Sequence, residues 1–248
     1  MENENARRPF MYCDSHIHLL PDLDNGPQTV EESLRMLEIL KGAKTRRAIL
    51  TPHYDLDHES IASFLARRKT AEEKLVKAAS LSRFRYLLSA EVAVVPGIAH
   101  DPKLEKLLIP RTRFLPISLP VGRLDTPIIR ELAHMLHKRN IKPIVCETER
   151  HFLFYSKEDY ARLILLPYTT FLFSAPAMAD SKIFREVLRL HVQGCEVIVG
   201  SNAHDASVRP PETEELLRAI SLHHGERLYH ALCLKTNAVF NDAFSAHH

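Results

Sequence analysis

The sequence predicts an α/β protein with a parallel sheet and covering helices, and three observations favour a barrel. Short apolar runs alternate with longer amphipathic segments along nearly all of the 248 residues, which is typical of consecutive strand–helix units. Polar residues suited to chemistry recur just after the predicted strands, where α/β barrels build their active sites. One barrel of this length is ordinary, and no linker, low-complexity tract or repeat divides the chain. We therefore expect one domain over residues 1–248, with residues 1–10 as a flexible N-terminal segment.

Predicted strands and helices alternate in an order that agrees with this class. Each predicted strand is a short apolar run that ends at a turn residue or a polar side chain. The strands are expected at residues 12–16, 47–50, 85–88 continuing toward 91, 114–119, 143–146, 169–173 and 196–199. The helices are expected at residues 29–40, 59–79, 102–108, 126–139, 157–166, 181–192, 211–220 and 226–234. Thr29 and Glu32 form a capping-box signature at the start of the first helix.

Two histidines that follow the first apolar run carry the clearest chemical signal. His16 and His18 are spaced i and i+2, so in an extended segment both side chains point to the same side. A divalent cation is the simplest reason for two neutral imidazoles to converge. From this pair alone, two surface or core-edge histidines are the alternative. His53, Glu91 and His204 also follow predicted strands, and the five residues together indicate a metal centre.

Composition narrows the class of protein. Apolar residues make up 45% and charged residues 26% of the chain, which is globular composition with enough material for a sizeable core. The formal net charge of +2 does not argue for a nucleic acid partner or an anionic membrane surface. The 15 histidines are many for this length and favour metal chemistry.

The cysteines and the hydropathy pattern predict the surroundings of the protein. Cys13, Cys146, Cys195 and Cys233 are scattered and form no Cys-x-x-Cys pair, as expected for reduced thiols. The first ten residues lack the apolar core of a signal peptide. No run approaches the roughly 18 apolar residues of a membrane span. We therefore expect a cytoplasmic protein that is not embedded in a membrane.

The order of short motifs resembles one known superfamily over nearly the whole chain after the first ten residues. These motifs are His-x-His at 16–18, Leu-Asp-Asn-Gly at 23–26, Thr-Pro-His at 51–53, Ala-Glu at 90–91, Glu-Arg at 149–150 and Ser-Asn-Ala-His at 201–204. The set resembles the PHP (polymerase and histidinol phosphatase) superfamily. Within it, the sequence is similar to the bacterial manganese-dependent protein tyrosine phosphatases of capsule and exopolysaccharide loci. The resemblance implies a distorted (β/α)7, TIM-like barrel with metal ions at the strand ends.

The resemblance also implies which residues form the site. Metal ligands for up to three ions fall on His16, His18, Glu91 and Asn202 for the first, on Glu91, Ser118 and Glu147 for the second, and on Asn25, His53 and His204 for the third. Arg150 and Arg209 match the arginines that hold the phosphate. His53 or His204 would deliver a proton to the leaving group. The implied cofactor is Mn2+, with iron, zinc and magnesium as alternatives, at one to three ions per chain.

Several implied ligand positions depart from the family pattern. Asn25 and Asn202 stand where the family has Asp, and an amide oxygen offers a hard cation no negative charge. Ser118 replaces a Glu and is a weak ligand, whereas Glu147 replaces a His and adds a carboxylate. Glu147 could instead pair with Arg150. Two neighbouring carboxylates could be recruited as ligands or could be plain surface charges: Asp24 and Glu149.

These features predict a metal-dependent phosphomonoester hydrolase, with two alternatives. The first expectation is a protein tyrosine phosphatase acting on an exopolysaccharide-assembly kinase, in which metal ions activate water and arginines stabilise the transition state. The altered ligands favour a catalytically impaired protein that binds phosphotyrosine or a partner kinase. A small-molecule phosphatase of the histidinol-phosphate type is the second alternative. The expected partner is a phosphotyrosine protein or another phosphomonoester, and assembly into a homo-oligomer stays open.

Overall fold

The protein consists of parallel strands with covering helices. The structure is a computed structural model, and it describes residues 13–79, 81, 84–211 and 226–245. The expected flexible segment at 1–10 and most of the expected helix at 211–220 lie outside these ranges. The strands of the described part are β1 Cys13–Ile17, β2 Arg47–Leu50, β3 His53–Tyr54, β4 Arg85–Leu88, β5 Glu91–Ala93, β6 Phe114–Ser118, β7 Lys142–Val145, β8 Thr170–Ser174 and β9 Glu196–Gly200. That residues 1–248 form one domain stays a prediction.

All strand pairs of the described part are parallel, and they form a three-stranded sheet, β1-β2-β4, and a six-stranded sheet, β3-β5-β6-β7-β8-β9. Residues 51–52 separate β2 from β3, and residues 89–90 separate β4 from β5. Each pair therefore occupies one strand position, which leaves seven positions around the fold. The ends of β9 and β1 also meet: the N–H of Asn202 donates to the carbonyl of His16 at 2.9 Å. The predicted parallel α/β class is confirmed.

The helices follow the strands as expected for strand–helix units. Those of the described part are α1 Val30–Gly42, α2 Ile61–Ala78, α3 Thr126–Arg139, α4 Thr148–Phe154, α5 Lys157–Ile164, α6 Ser181–Val192 and α7 Glu226–Ser245. Thr29 is the N-cap of α1, as predicted, and its hydroxyl accepts from the N–H of Glu32 at 3.2 Å. In turn, the Glu32 carboxylate accepts a hydrogen bond from the N–H of Gln28, the residue before Thr29, at 3.0 Å. This cap fixes where the chain enters the helix after the loop that follows β1.

Three helical segments differ from the prediction. The expected helix at 102–108 is a 3-10 helix, Leu104–Leu107, preceded by another at Ile98–His100. Helix α4 lies where none was expected, because its single short stretch carries no clear helical periodicity. Helix α7 continues to Ser245, well past the predicted end at 234. Its last turns are apolar on the side that faces the strands.

Helix α7 covers the N-terminal ends of the strands. Phe240 and Phe244 are buried in a cluster with Ile49, Ile144 and Ile198, which come from three different strands. Arg85 and Arg111 donate to the carbonyls of the last turn of the helix. This packing leaves the opposite, C-terminal ends of the strands as the face for a site. Among the helices described, none combines the length and the hydropathy that crossing a bilayer requires.

Candidate metal centre

The five residues of the predicted metal centre converge at the C-terminal ends of the strands. Three imidazoles surround one carboxylate oxygen, Glu91 Oε2: His16 Nε2 lies 3.2 Å away, His53 Nδ1 3.5 Å and His18 Nε2 3.7 Å. The ring of His204 stacks on that of His18, with 3.8 Å between centroids. Residues from β1, β3, β5 and the end of β9 therefore form one cluster, as the sequence predicted.

The buried atoms of this cluster lack the partners that burial requires. His16, His18 and Glu91 are each at most 1% exposed. Within the described part of the chain, His16 Nε2, His18 Nε2 and Glu91 Oε1 have no hydrogen-bond partner, and unpaired buried polar atoms are costly. The donor atoms of these three residues lie within 4.8 Å of one another, as do those of His18, His53 and His204. The arrangement fits a divalent cation, which would satisfy all of these atoms at once.

The charge state of Glu91 supports a cation site. Burial acts to raise the pKa of this carboxyl group, but the adjacent His16, His53 and His18 hold its pKa at about 2. Glu91 is therefore a carboxylate at neutral pH despite its position among apolar residues. A buried carboxylate that faces imidazole nitrogens is a ligand set suited to Mn2+, Fe2+ or Zn2+.

Asp24 fixes the orientation of His18. Its Oδ2 lies 2.7 Å from His18 Nδ1 and accepts the N–H of His53 at 2.9 Å, while Oδ1 accepts the N–H of Gly26 at 2.9 Å. Burial acts to raise the pKa of Asp24, but these hydrogen bonds hold it well below its usual range. Because a carboxylate only accepts, the proton of His18 lies on Nδ1 and the lone pair on Nε2 is free to bind a metal.

His204 and His16 are oriented in the same way by neighbours outside the cluster. His204 Nδ1 lies 2.9 Å from the carbonyl oxygen of Asn202, so Nδ1 carries the proton. Burial, with His18 nearby, lowers the pKa of His204 to about 3, which leaves a neutral imidazole able to bind a cation. His16 Nδ1 faces the hydroxyl of Thr51 at 3.2 Å and the thiol of Cys146 at 3.5 Å.

Close backbone approach at two glycines permits this convergence. A Cβ at Gly200, in β9, would lie 2.8 Å from His16 Cβ and 3.0 Å from Ser15 Oγ. A Cβ at Gly26 would lie 2.9 Å from both Asp24 Oδ1 and His18 Cβ. Real Cβ atoms do not approach so closely, so both positions need glycine to bring the first strand and its loop onto their neighbours.

Two of the four altered ligand positions, Glu147 and Asn202, form a hydrogen-bonded chain with Arg150. Asn202 Nδ2 donates to Glu147 Oε1 at 3.0 Å, and Arg150 donates to Glu147 Oε2 at 2.6 Å. Glu147 belongs to neither of the two donor groups in the described part of the chain. Asn25 is exposed, and Ser118 is partly exposed at the end of β6. That these four positions bind metal stays a prediction.

A cavity adjoins this chain of hydrogen bonds. Its volume is about 410 Å3, and it is lined by Glu147, Ser174, Pro176, Ser201, Asn202, Val208, Arg209 and Pro210. Arg209 is exposed at its edge, and its carbonyl oxygen accepts from the N–H of His204 at 3.1 Å. The predicted arginines thus lie beside the cluster. A larger cavity of about 910 Å3, between Phe114, Tyr168 and Cys195, is lined by none of the predicted site residues.

Comparison with known proteins places the chain in a family. A family model described as capsular polysaccharide synthesis, CpsB/CapC, matches residues 12–240. The chain belongs to the CpsB/CapC family. Its fold resembles that in the "crystal structures of YwqE from Bacillus subtilis and CpsB from Streptococcus pneumoniae, unique metal-dependent tyrosine phosphatases", with TM-score 0.75, 19% identity, and 93% of this chain and 94% of that chain covered.

A more distant likeness extends to another hydrolase. N-isopropylammelide isopropylaminohydrolase from Burkholderia multivorans matches with TM-score 0.52 and 15% identity, over 94% of this chain and 73% of that chain. At these identities the likenesses establish the fold. The expected PHP-type α/β fold of this CpsB/CapC family member is therefore confirmed.

Two polar residues near the site have roles that the sequence did not reveal. Glu149 is buried, and it accepts hydrogen bonds from the hydroxyl and the N–H of Ser174; burial raises its pKa. It is thus neither a surface charge nor directed at the histidines. His151 is 2% exposed, and its ring lies 4.8 Å from that of Tyr155. Both residues lie on the unpredicted helix α4, so no periodicity marked them as buried.

Proposed function

We propose that this CpsB/CapC family protein is a metal-dependent phosphomonoester hydrolase that acts on phosphotyrosine in a protein of capsule or exopolysaccharide assembly. The observation that carries the proposal is the convergence of His16, His18 and His53 on one buried Glu91 oxygen. The family supplies the capsule context, and the similar crystal structures are of metal-dependent tyrosine phosphatases.

The cluster of histidines and Glu91 would hold the metal. The free nitrogens of His16 and His18 and the unpaired Oε1 of Glu91 would be the ligands, with His53 and His204 beside them. A bound divalent cation, with Mn2+ expected and iron, zinc or magnesium as alternatives, would polarise a phosphoryl oxygen and lower the pKa of a water molecule.

The two arginines would bind and orient the phosphate. Arg209 lines the cavity of about 410 Å3 next to Asn202, and its guanidinium would bind a phosphate held beside the histidine cluster. Arg150 is held at the same edge by Glu147. A guanidinium can donate two parallel hydrogen bonds to non-bridging oxygens, and it offsets charge that develops in the transition state.

His53 is the better candidate to deliver a proton to the leaving group. About 39% of its side chain is exposed, whereas His18 is buried, so only His53 can exchange protons readily with water. His204 is neutral and its one proton is donated to the carbonyl of Asn202. A tyrosine phenol, with a pKa of about 10, is in any case a leaving group that needs little assistance.

The experiment compares metal-loaded wild type with a metal-site variant. Purified full-length protein is loaded with Mn2+ and assayed with p-nitrophenyl phosphate and a phosphotyrosine peptide. We expect turnover that a His16→Ala/His18→Ala variant loses. Equal rates for wild type and variant, with manganese, iron, zinc and magnesium each tried, would overturn the proposal. Preference for histidinol phosphate over the peptide would instead favour a small-molecule phosphatase.

A second candidate function is phosphotyrosine or kinase binding without hydrolysis. It is favoured by the internal pairing of Glu147 with Asn202 and Arg150, which ties up the carboxylate at an implied ligand position. This function predicts a wild type that binds a phosphotyrosine peptide through Arg150 and Arg209 but does not cleave it. An Asn25→Asp/Asn202→Asp variant should then gain activity, and wild-type activity equal to that of the variant would contradict it.

A further inference from the structure

The metal cluster offers two groups of ligands that share one residue. Donor atoms of His16, His18 and Glu91 form the first group, and those of His18, His53 and His204 form the second. We infer that the centre holds a single divalent cation per chain, bound by His16, His18 and Glu91. This inference rests on the proposed function and narrows its metal content.

The shared residue cannot serve two ions. Asp24 lies 2.7 Å from Nδ1 of His18 and accepts its proton, so only Nε2 has a free lone pair. One imidazole lone pair binds one metal ion. If His18 serves the first group, a second ion would retain only His53 and His204 from its own group.

The negative charge of the carboxylates that contact the histidines balances the charge of one divalent cation. Glu91 touches His16, His18 and His53, and Asp24 touches His18. These are the carboxylates paired with the clustered histidines in the described part of the chain. Two dications side by side would repel each other strongly in such a buried site, because their mutual repulsion grows as the dielectric falls.

The other implied ligand positions supply no free negative charge for a second ion. Both oxygens of Glu147 are engaged, one by the Asn202 amide and one by the Arg150 guanidinium, which already neutralises it. Asn25 is neutral and exposed. The guanidinium of Arg150 thus adds positive charge on this side of the site, where Arg209 also lies.

Metal stoichiometry tests the inference without substrate. Full-length protein is stripped with a chelator and dialysed against excess Mn2+. Bound manganese per chain is then measured by elemental analysis, and the spectrum by electron paramagnetic resonance. We expect one Mn2+ per chain with the resolved hyperfine pattern of an isolated ion. Two or more ions, a spin-coupled spectrum, or no retained ion would overturn the inference. One ion without turnover would uphold it while contradicting the proposed function.

Substitutions test which residues set this stoichiometry. Asp24→Asn should weaken Mn2+ binding about 10- to 100-fold, as expected for loss of a hydrogen-bonded partner behind a ligand. Asp22→Asn is the matched control, because Asp22 lies in the same loop but is exposed and paired with Lys74; its affinity should be unchanged. Glu147→Gln should still bind one Mn2+ with affinity within about twofold of wild type. Loss of the bound ion in Glu147→Gln would overturn the inference.

Discussion

The side-chain amide of Asn202 donates to the carboxylate of Glu147 across 3.0 Å, joining the end of β9 to the start of α4. Both residues adopt left-handed backbone conformations, with φ of 51° and 47°. Asn tolerates this region better than Glu does. The pairing therefore holds two strand ends in a defined relation at an edge of the histidine cluster.

Replacing Asn202 with Asp should turn this attractive contact with Glu147 into a repulsive one. The new carboxylate would face Glu147, and the hydrogen bond would become a like-charge repulsion. We expect the metal-free variant to lose about 1–2 kcal/mol of unfolding free energy and to be stabilised by added Mn2+ more than wild type. Denaturant unfolding with and without Mn2+ measures both effects. Asn140→Asp is the control, since Asn140 has the same φ of 51° at an exposed helix end.

Arg209→Ala should weaken substrate binding. A charge-assisted hydrogen bond to phosphate contributes about 1.5–3 kcal/mol, so KM for p-nitrophenyl phosphate should rise about 10- to 100-fold. Arg162→Ala is the control, because Arg162 is exposed and pairs with Asp159 away from the site. Steady-state kinetics of the Mn2+-loaded variants gives the comparison. An unchanged KM in Arg209→Ala would place the phosphate elsewhere.

Gly200→Ala should loosen the junction of β9 with β1. The added methyl group would meet His16 Cβ at 2.8 Å, and His16 is held by its own backbone contacts. Overpacking of this kind costs about 1–3 kcal/mol, and displacing His16 should also weaken Mn2+ binding. Gly42→Ala is the matched control, since nothing lies within 4 Å of a Cβ there. Thermal unfolding and Mn2+ titration of both variants test this; equal stability would contradict the contact.

His151 should make the stability of the protein depend on pH. Burial, reinforced by Arg150, lowers its pKa to about 4 from the ordinary 6.5. Between pH 4 and 6.5 the unfolded chain binds a proton on this histidine that the folded protein does not. The free energy of unfolding therefore increases as the pH rises across this window and decreases as the pH falls. His151→Phe should remove about 3 kcal/mol of that rise.

Denaturant unfolding of metal-free protein at pH 4 to 7 measures the effect of His151→Phe. The substitution keeps an aromatic ring against Tyr155 and removes the titrating group. His137→Gln, at an exposed position of α3, should leave the pH profile as in wild type. A rise with pH that is the same in His151→Phe as in wild type would refute the assignment.

Phe240→Ala should destabilise the end of the fold that α7 covers. Phe240 is fully buried against residues from several strands, and truncation of a buried Phe costs about 3–5 kcal/mol. Leu234→Ala, on the same helix but 57% exposed, should change the unfolding free energy by less than about 0.5 kcal/mol. Chemical denaturation of both variants gives their unfolding free energies, which show whether α7 is packed on the strands or only loosely attached.

The sequence allowed the fold class and the convergence of the histidine cluster to be predicted because strand ends can be read locally, whereas metal binding by this cluster stays a prediction. His16, His18, His53, Glu91 and His204 each follow an apolar run, and parallel strands bring such ends to one face. The role of Asp24 could not be predicted in this way. It depends on a loop that folds back so that one carboxylate reaches both His18 and the backbone of His53.

Helix α4 and its buried side chains escaped prediction for a related reason. Its N-cap, Glu147, has a left-handed conformation and makes no side-chain cap, so the usual start signal is missing. The helix spans 7 residues, too few for a periodicity of buried positions to emerge. Glu149 and His151 are buried by tertiary packing, which no local pattern encodes.

Backbone ladders divide the described strands into two sheets that also meet where the end of β9 bonds to the end of β1, and the histidine cluster straddles the boundary between them. His16 belongs to β1 of the three-stranded sheet, whereas His53 and Glu91 belong to β3 and β5 of the six-stranded sheet. An ion bound at these residues would link the two sheets, so that neither sheet could slide past the other without breaking a coordination bond. The rate of amide hydrogen exchange along β1 and β3 should then decrease in both strands when metal is bound and increase in both when metal is removed. This coupling is expected although the two strands are not paired with each other.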